Sequence, residues 1–145
     1  MRRTGLHSRP TVLIAEDDER MSAVIADAVG EAGFDCHCVG DGVEALNYIL
    51  EARPDLVVLD LILPRLQGDA ICAMVRKSPR VQHTPVLIVS GHDSRQHKLN
   101  AFEVGADDYV CKPFNLAELV ARVKALRSRT CVGRYRASFV THGCE

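Results

Sequence analysis

The chain has no unbroken apolar stretch near the roughly 18 residues that a membrane-spanning helix needs, so a helical span is excluded. Its first ten residues, Met1-Arg2-Arg3-Thr4-Gly5-Leu6-His7-Ser8-Arg9-Pro10, are basic, but the long apolar segment of a secretory signal does not follow them. The expected location is therefore cytoplasmic. No Cys-x-x-Cys pair occurs among the cysteines at 36, 38, 72, 111, 131 and 144, and no second half follows Cys36-His37-Cys38. Neither a disulfide framework nor a zinc site is indicated. Reduced thiols are expected without an export signal. Cys36 and Cys38 lie two apart on a predicted strand, so they share one face and read as small buried hydrophobes. There is no internal repeat, no low-complexity block and no second domain.

What remains is one ordinary domain. A chain of 145 residues can bury roughly 70% of the surface its unfolded form exposes. The apolar fraction of 47% and the charged fraction of 26% suit a globular protein. The net charge of −1 is unevenly placed: residues 1–10 carry three Arg and residues 127–145 four Arg against one Glu, so 11–126 holds a net of −7. An acidic body argues against a nucleic-acid-binding face on the core. The ends read as a basic N-terminal extension over 1–10 and a short, flexible basic tail over 128–145, in which Tyr135, Phe139 and Val140 are compatible with a docking segment.

Short apolar runs alternate with amphipathic stretches. Thr11 to Ala15 reads as a strand that ends in Glu16-Asp17-Asp18-Glu19. Met21, Ile25, Ala28, Val29 and Ala32 recur at helical spacing, with Asp18 as N-cap and Gly33 as stop. Phe34 to Val39 is a second strand, and Asp41 caps a helix through Ala45, Leu46, Ile49 and Leu50 that Pro54 ends. Leu56 to Leu59, running into Asp60, is apolar throughout, as in a parallel strand covered on both faces. Asp69 is the predicted start of a third helix through Ile71, Cys72, Met74 and Val75. Pro85 to Ser90 is another buried strand, followed by a helix capped by Asp93 or Ser94 that carries Leu99, Phe102 and Val104. Asp108 to Cys111 runs into Lys112-Pro113, and Asn115 caps a last helix with Leu116, Leu119, Val120, Val123 and Leu126 inward. Five β-α units imply an α/β fold, a parallel sheet with helices on both faces and right-handed crossovers.

Ligands of an open parallel sheet bind beyond the carboxyl ends of its strands. Those ends carry Glu16 and Asp17, Asp60, Ser90 and Lys112. An aspartate at a strand end is usually a turn or cap residue, and Asp18 and Asp41 read that way. The joint pattern reads differently. Three carboxylates on one rim repel unless a cation is near, and hard oxygen ligands suit Mg²⁺. Lys112 adds an ammonium and Ser90 a hydroxyl. Together they can neutralise a phosphoryl group in transfer, and Asp60, on the middle strand, is the best-placed nucleophile.

Over about residues 11–127 the chain resembles bacterial response-regulator receiver domains. The resemblance lies in Val12-Leu13-Ile14-Ala15-Glu16-Asp17-Asp18, Pro54-Asp55-Leu56-Val57-Val58-Leu59-Asp60-Leu61-Ile62-Leu63-Pro64, Gly68, Val89-Ser90-Gly91, Gly105-Ala106-Asp107-Asp108-Tyr109 and Lys112-Pro113-Phe114. It implies a flavodoxin-like, doubly wound sheet of five strands in order 2-1-3-4-5 with five helices. It also implies Asp60 as phosphoacceptor, Glu16, Asp17, Asp60 and the Ile62 backbone carbonyl as ligands of Mg²⁺ (or Mn²⁺), and Lys112 as the phosphate-pairing lysine. Ser90 and Tyr109 would be the switch pair and Lys112–Pro113 a cis peptide. The implied donor is a sensor histidine kinase or phosphotransfer protein of a two-component phosphorelay, and the implied output is a downstream protein target. That target would be met through the fourth helix, fifth strand and last helix, with Arg95, Lys98, Phe102, Tyr109 and Lys124, by a monomer or a phosphorylation-dependent homodimer. Such a chain is no turnover enzyme; it assists only its own phosphorylation and dephosphorylation.

Three departures stand out: Gln67 replaces the usual Asp or Asn before Gly68, Cys111 precedes the lysine, and Ile62 and His92 border the path of attacking water. The main alternative is a receiver-like interaction module that works without phosphate; its mark would be loss of the acidic pair, Asp60 or Lys112, and all are present. A phosphatase would need a second Asp where Ile62 stands to act as general acid. A flavin carrier would need a phosphate-cradling loop where the acidic pair stands.

Overall fold

The computed structural model describes residues 8–91 and 95–132, the side chains of 130–132 excepted. Ten elements alternate: β1 (Thr11–Ala15), α1 (Glu19–Glu31), β2 (Asp35–Val39), α2 (Gly42–Ala52), β3 (Leu56–Asp60), α3 (Gly68–Arg76), β4 (Val86–Ser90), α4 (Arg95–Glu103), β5 (Asp108–Cys111) and α5 (Leu116–Val132). All neighbouring strands pair in parallel, in the order β2-β1-β3-β4-β5. The expected doubly wound architecture is the one observed.

Strand alternation divides the core into two layers. Leu13, Val57, Leu59 and Ile88 pack with Ala45 and Ile49 of α2 and with Ile71, Cys72 and Val75 of α3. Val12, Ile14, Val58 and Val89 face the other way, onto Ile25 and Val29 of α1 and Leu119, Val123 and Leu126 of α5. Truncating one such buried leucine or isoleucine to alanine costs about 2–5 kcal/mol, so the sheet that carries the rim residues is rigidly held. Burial pushes the Cys36 and Cys72 thiols up to about 11 in each case, but Cys38, expected to be buried beside Cys36, is exposed on β2, a strand at the sheet edge. No helix among the described residues is long and apolar enough to cross a membrane.

Local chemistry sets the helix starts. Asp18 Oδ1 accepts from the Arg20 and Met21 amides at 3.0 and 3.1 Å. Asp41 Oδ1 accepts from Glu44 at 2.8 Å, and Asn115 Oδ1 from Ala117 and Glu118 at 2.8 and 3.2 Å. Each such cap is worth about 1 kcal/mol. α3 departs from expectation. It starts at Gly68, not at Asp69, and its N-cap Gln67 makes no side-chain capping bond. Asp69 sits in the first turn, where its carboxylate accepts from Ala70 at 2.8 Å and faces the positive helix end.

On α4, Leu99 and Phe102 are 49% and 40% exposed, and the small Ala101 is the residue that packs into the core. Arg9 and Pro10 belong to the fold. Arg9 Nη2 donates to Gly30 O at 2.8 Å and Phe34 O at 3.2 Å, and Asp35 N–H donates to Pro10 O at 2.9 Å. Arg9 thus adds a side-chain donor at the end of α1, where Gly30 O also accepts from the Gly33 amide at 3.0 Å. At the other end, α5 runs to Val132, past the expected boundary at 127. Residues 1–7 of the predicted extension, the proposed caps Asp93 and Ser94, and residues 133–145 with Tyr135, Phe139, Val140 and Cys144 lie outside the described residues.

The unfilled N-cap of α3 yields a direct test. Gln67→Asn, which shortens the side chain to capping length, is expected to raise stability by about 1 kcal/mol, read from the urea unfolding midpoint. An unchanged or lowered midpoint contradicts this reading of the helix start.

Candidate functional site

The carboxyl ends of four strands meet at one rim. β1 passes directly into Glu16, whose N–H extends the ladder by donating to Val39 O at 3.1 Å. β3 ends at Asp60 and β4 at Ser90. Lys112 follows β5, and its N–H donates to Ser90 O at 2.7 Å. The register holds these ends level: Ala15 pairs with Leu59, Asp60 with Val89, and Ser90 with Cys111. The Lys112–Pro113 bond is cis, as expected.

Lys112 Nζ stands 3.0 Å from Glu16 Oε1 and 3.0 Å from Asp60 Oδ2. The remaining oxygens of these two acids are also engaged. Glu16 Oε2 accepts from the Asp18 amide at 3.1 Å, and Asp60 Oδ1 from the Ile62 amide at 3.1 Å. Glu16 and Asp60 are buried, at 4% and 6% exposure, whereas Asp17 is open to solvent. One oxygen of each of Glu16, Asp17 and Asp60 lies within 4.8 Å of the others. Desolvation pulls the Lys112 ammonium down, but the hydrogen bonds and charges of Glu16 and Asp60 outweigh it and raise its pKa above the ordinary value. Lys112 therefore stays charged.

One ammonium against three carboxylates leaves negative charge over. An all-oxygen set with one solvent-facing member can hold a hard divalent cation. The site has an opening at Asp17 and a floor of buried strands. Gly68 closes one wall. Its N–H donates to Leu61 O at 2.8 Å, and a Cβ there would stand 2.5 Å from Asp60 O and 2.9 Å from Leu61 Cα.

Of the predicted site residues, Glu16, Asp17, Asp60, Ser90 and Lys112 lie at or just past strand ends on this rim. Glu16, Asp17, Asp60 and Lys112 come together, and the Ile62 peptide joins them through its bond to Asp60. The Ile62 side chain points away and is half exposed. Ser90 is fully buried at the end of β4, and Tyr109 is buried in the core cluster with Ala101 and Ala106. His92 lies outside the described residues. Of the expected readout residues, Arg95 and Phe102 are exposed on α4 and Lys98 is partly so. Lys124 is misplaced in that expectation: it lines the groove between α1 and α5 with Ala28 and Glu31.

Residue-by-residue reading missed Arg122. Its Nη1 bonds both oxygens of Asp108 at 2.9 Å, and its Nη2 pairs with Glu118 at 3.1 Å, tying α5 to β5. The Glu118–Arg122 spacing of one helical turn was the available signal.

A protein-family model described as the response regulator receiver domain matches residues 12–124. Among curated proteins, the DNA-binding dual master transcriptional regulator RpaA of Synechocystis sp. is 37% identical over 121 residues, which is 83% of this chain and 50% of that protein. The chain thus spans about half the length of this curated relative. Among solved structures, the receiver domain of Francisella response regulator 1452 matches with a TM-score of 0.79 at 38% identity, over 83% of this chain and 98% of that one. The BeF3-activated N-terminal receiver domain of Klebsiella pneumoniae RstA matches with a TM-score of 0.75 at 29% identity, over 81% and 97%.

The close approach at Gly68 predicts that Gly68→Ala destabilises the protein by roughly 1–3 kcal/mol despite alanine's better helix propensity. Chemical denaturation measures this. Wild-type stability in the variant would show that the backbone yields without cost.

Proposed function

The chain belongs to the receiver-domain family of two-component response regulators, and on that premise we propose that Asp60 accepts a phosphoryl group from a phosphohistidine on a sensor histidine kinase or phosphotransfer protein. The observation that carries this reading is Lys112 Nζ set 3.0 Å from both Glu16 and Asp60 at the mouth of the acidic cluster. An Asp60 oxygen attacks phosphorus, the O–P bond forms as the N–P bond breaks, and the electron pair leaves on the histidine nitrogen. Lys112 then exchanges a carboxylate partner for a phosphoryl oxygen, keeping its charge throughout. The Ile62 amide, already donating to Asp60 Oδ1, fixes the carboxylate plane for attack.

The donor set fits Mg²⁺ (or Mn²⁺), with Glu16, Asp17, Asp60 and the Ile62 backbone carbonyl as its protein ligands. One oxygen of each of Glu16, Asp17 and Asp60 lies within 4.8 Å of the others, close to the roughly 4.2 Å that separates oxygens on opposite sides of one Mg²⁺. When bound, the ion supplies charge that the single ammonium lacks, both for the carboxylates at rest and for the phosphoryl oxygens in transfer.

The added phosphate brings three acceptor oxygens and negative charge beside Ser90. We place the switch at Ser90 and Tyr109, with an inward Tyr109 as the arrangement that phosphorylation favours. The readout is the face of α4, β5 and α5, where Phe102 is exposed, and its occupant is a protein target or a second copy of the chain. The acidic body makes nucleic acid a poor partner for this domain itself. The domain does not turn over a substrate; it assists its own phosphorylation and the later hydrolysis. RstA was obtained in a BeF3-activated form, and its likeness supports a phosphate-operated site here.

Incubation with acetyl phosphate and Mg²⁺ is expected to add one phosphoryl group, seen by intact mass, that is absent from Asp60→Asn and from samples held in EDTA. Lys112→Ala is expected to slow labelling about 10²-fold. Label retained on Asp60→Asn would overturn the assignment and favour a module that works without this site.

A further inference from the structure

Glu16, Asp17 and Lys112 each adjoin a strand end, but Ile62 stands on the loop between β3 and α3. Contacts from α2 hold that loop. Gly42 N–H donates to Pro64 O at 2.9 Å, and Leu66 N–H donates to the same carbonyl at 2.8 Å. A Cβ at Gly42 would stand 1.7 Å from Leu66 O and 2.6 Å from Leu66 C, so the start of α2 lies directly on the loop backbone. Between Pro64 and Leu66, Arg65 has φ 72°, a left-handed conformation that a side chain adopts only at some cost. Its guanidinium reaches back to α2, with Nη1 3.0 Å from Asp41 Oδ2. Asp41 spends its other oxygen capping α2 through the Glu44 amide at 2.8 Å. The Glu44 amide and then the Arg65 guanidinium hold the Asp41 carboxyl below its ordinary pKa.

One carboxylate therefore both starts α2 and grips the β3–α3 loop. The loop's other end is closed by the Gly68–Leu61 hydrogen bond at 2.8 Å. Ile62 lies between the two anchor points. Phosphoryl chemistry at Asp60 gives no task to Asp41, Gly42 or Arg65, yet their contacts converge on the loop whose Ile62 amide donates to Asp60 Oδ1.

We propose that Asp41, Gly42 and Arg65 form a latch that positions the β3–α3 loop so that the Ile62 backbone carbonyl can serve as a divalent-ion ligand. These are positioning residues; they touch neither ion nor phosphate. The inference rests on the metal site proposed above.

The test is calorimetric titration of Mg²⁺ into the wild type, Asp41→Asn, Arg65→Ala, the double variant and Arg65→Lys, with thermal melts of each. Asparagine keeps the capping oxygen, so Asp41→Asn removes the charge facing Arg65 and leaves the start of α2 intact. Each of Asp41→Asn and Arg65→Ala is expected to weaken Mg²⁺ binding about three- to fivefold, the scale of an exposed ion pair. The double variant is expected to bind no more weakly than the weaker single variant, as partners in one contact require. Arg65→Lys is expected to recover most of the loss, and the melting temperatures to stay together. Equal affinity in wild type and variants, fully additive losses, or losses that merely follow melting temperature would each overturn the latch. No Mg²⁺ binding by the wild type would overturn the metal site itself and the latch with it.

Discussion

The ammonium of Lys112, shared between Glu16 and Asp60, is the contact on which the site depends. It joins the first, third and fifth strands at one point and partly neutralises acids that would otherwise repel. The neutralisation is incomplete by design of the residue types: three carboxylates face one cation. A pair of acids satisfied by one lysine would be a structural knot. The surplus acid, Asp17, is also the one open to solvent, so the unbalanced charge lies where a cation from solution can reach it.

The rest of the molecule serves this rim. A parallel sheet points every strand end the same way, and the order β2-β1-β3-β4-β5 puts Asp60 between the acidic pair of β1 and the hydroxyl of β4. Two apolar layers fix strand positions to within side-chain packing tolerance, so the polar groups need no freedom of their own to meet. The more adjustable parts are the loops. The β3–α3 loop is held by glycines at both ends, Gly42 against Leu66 and Gly68 against Asp60, because any side chain would push the loop off the rim.

Much of this was legible in the amino-acid order. Apolar runs that stop abruptly at Glu16, Asp60, Ser90 and Lys112 mark both the strands and their functional ends, since a parallel strand is buried on two faces and its end is not. Caps at Asp18, Asp41 and Asn115 were legible because capping is local. What escaped was set by distant partners. Arg9 looks like part of a basic tail, yet its guanidinium serves carbonyls at Gly30 and Phe34. Arg76 looks like a surface cation, yet it bonds Gln82 O, Thr84 O, Gly105 O and Asp107. Ala101 also escaped: it is the buried residue of α4, while the larger Leu99 and Phe102 named for that helix are exposed. The cis bond at Lys112 and the role of Tyr109 came from family likeness, not from residue chemistry.

A crystal structure with Mg²⁺ and beryllofluoride addresses the shared-cation claim most directly. The expected density shows the fluoride group on Asp60, the metal between Glu16, Asp17, Asp60 and the Ile62 carbonyl, and Lys112 and Ser90 on the fluorine atoms. A metal bound away from Glu16 and Asp17, or a Lys112 that keeps both carboxylates and leaves the fluorides uncontacted, would contradict it.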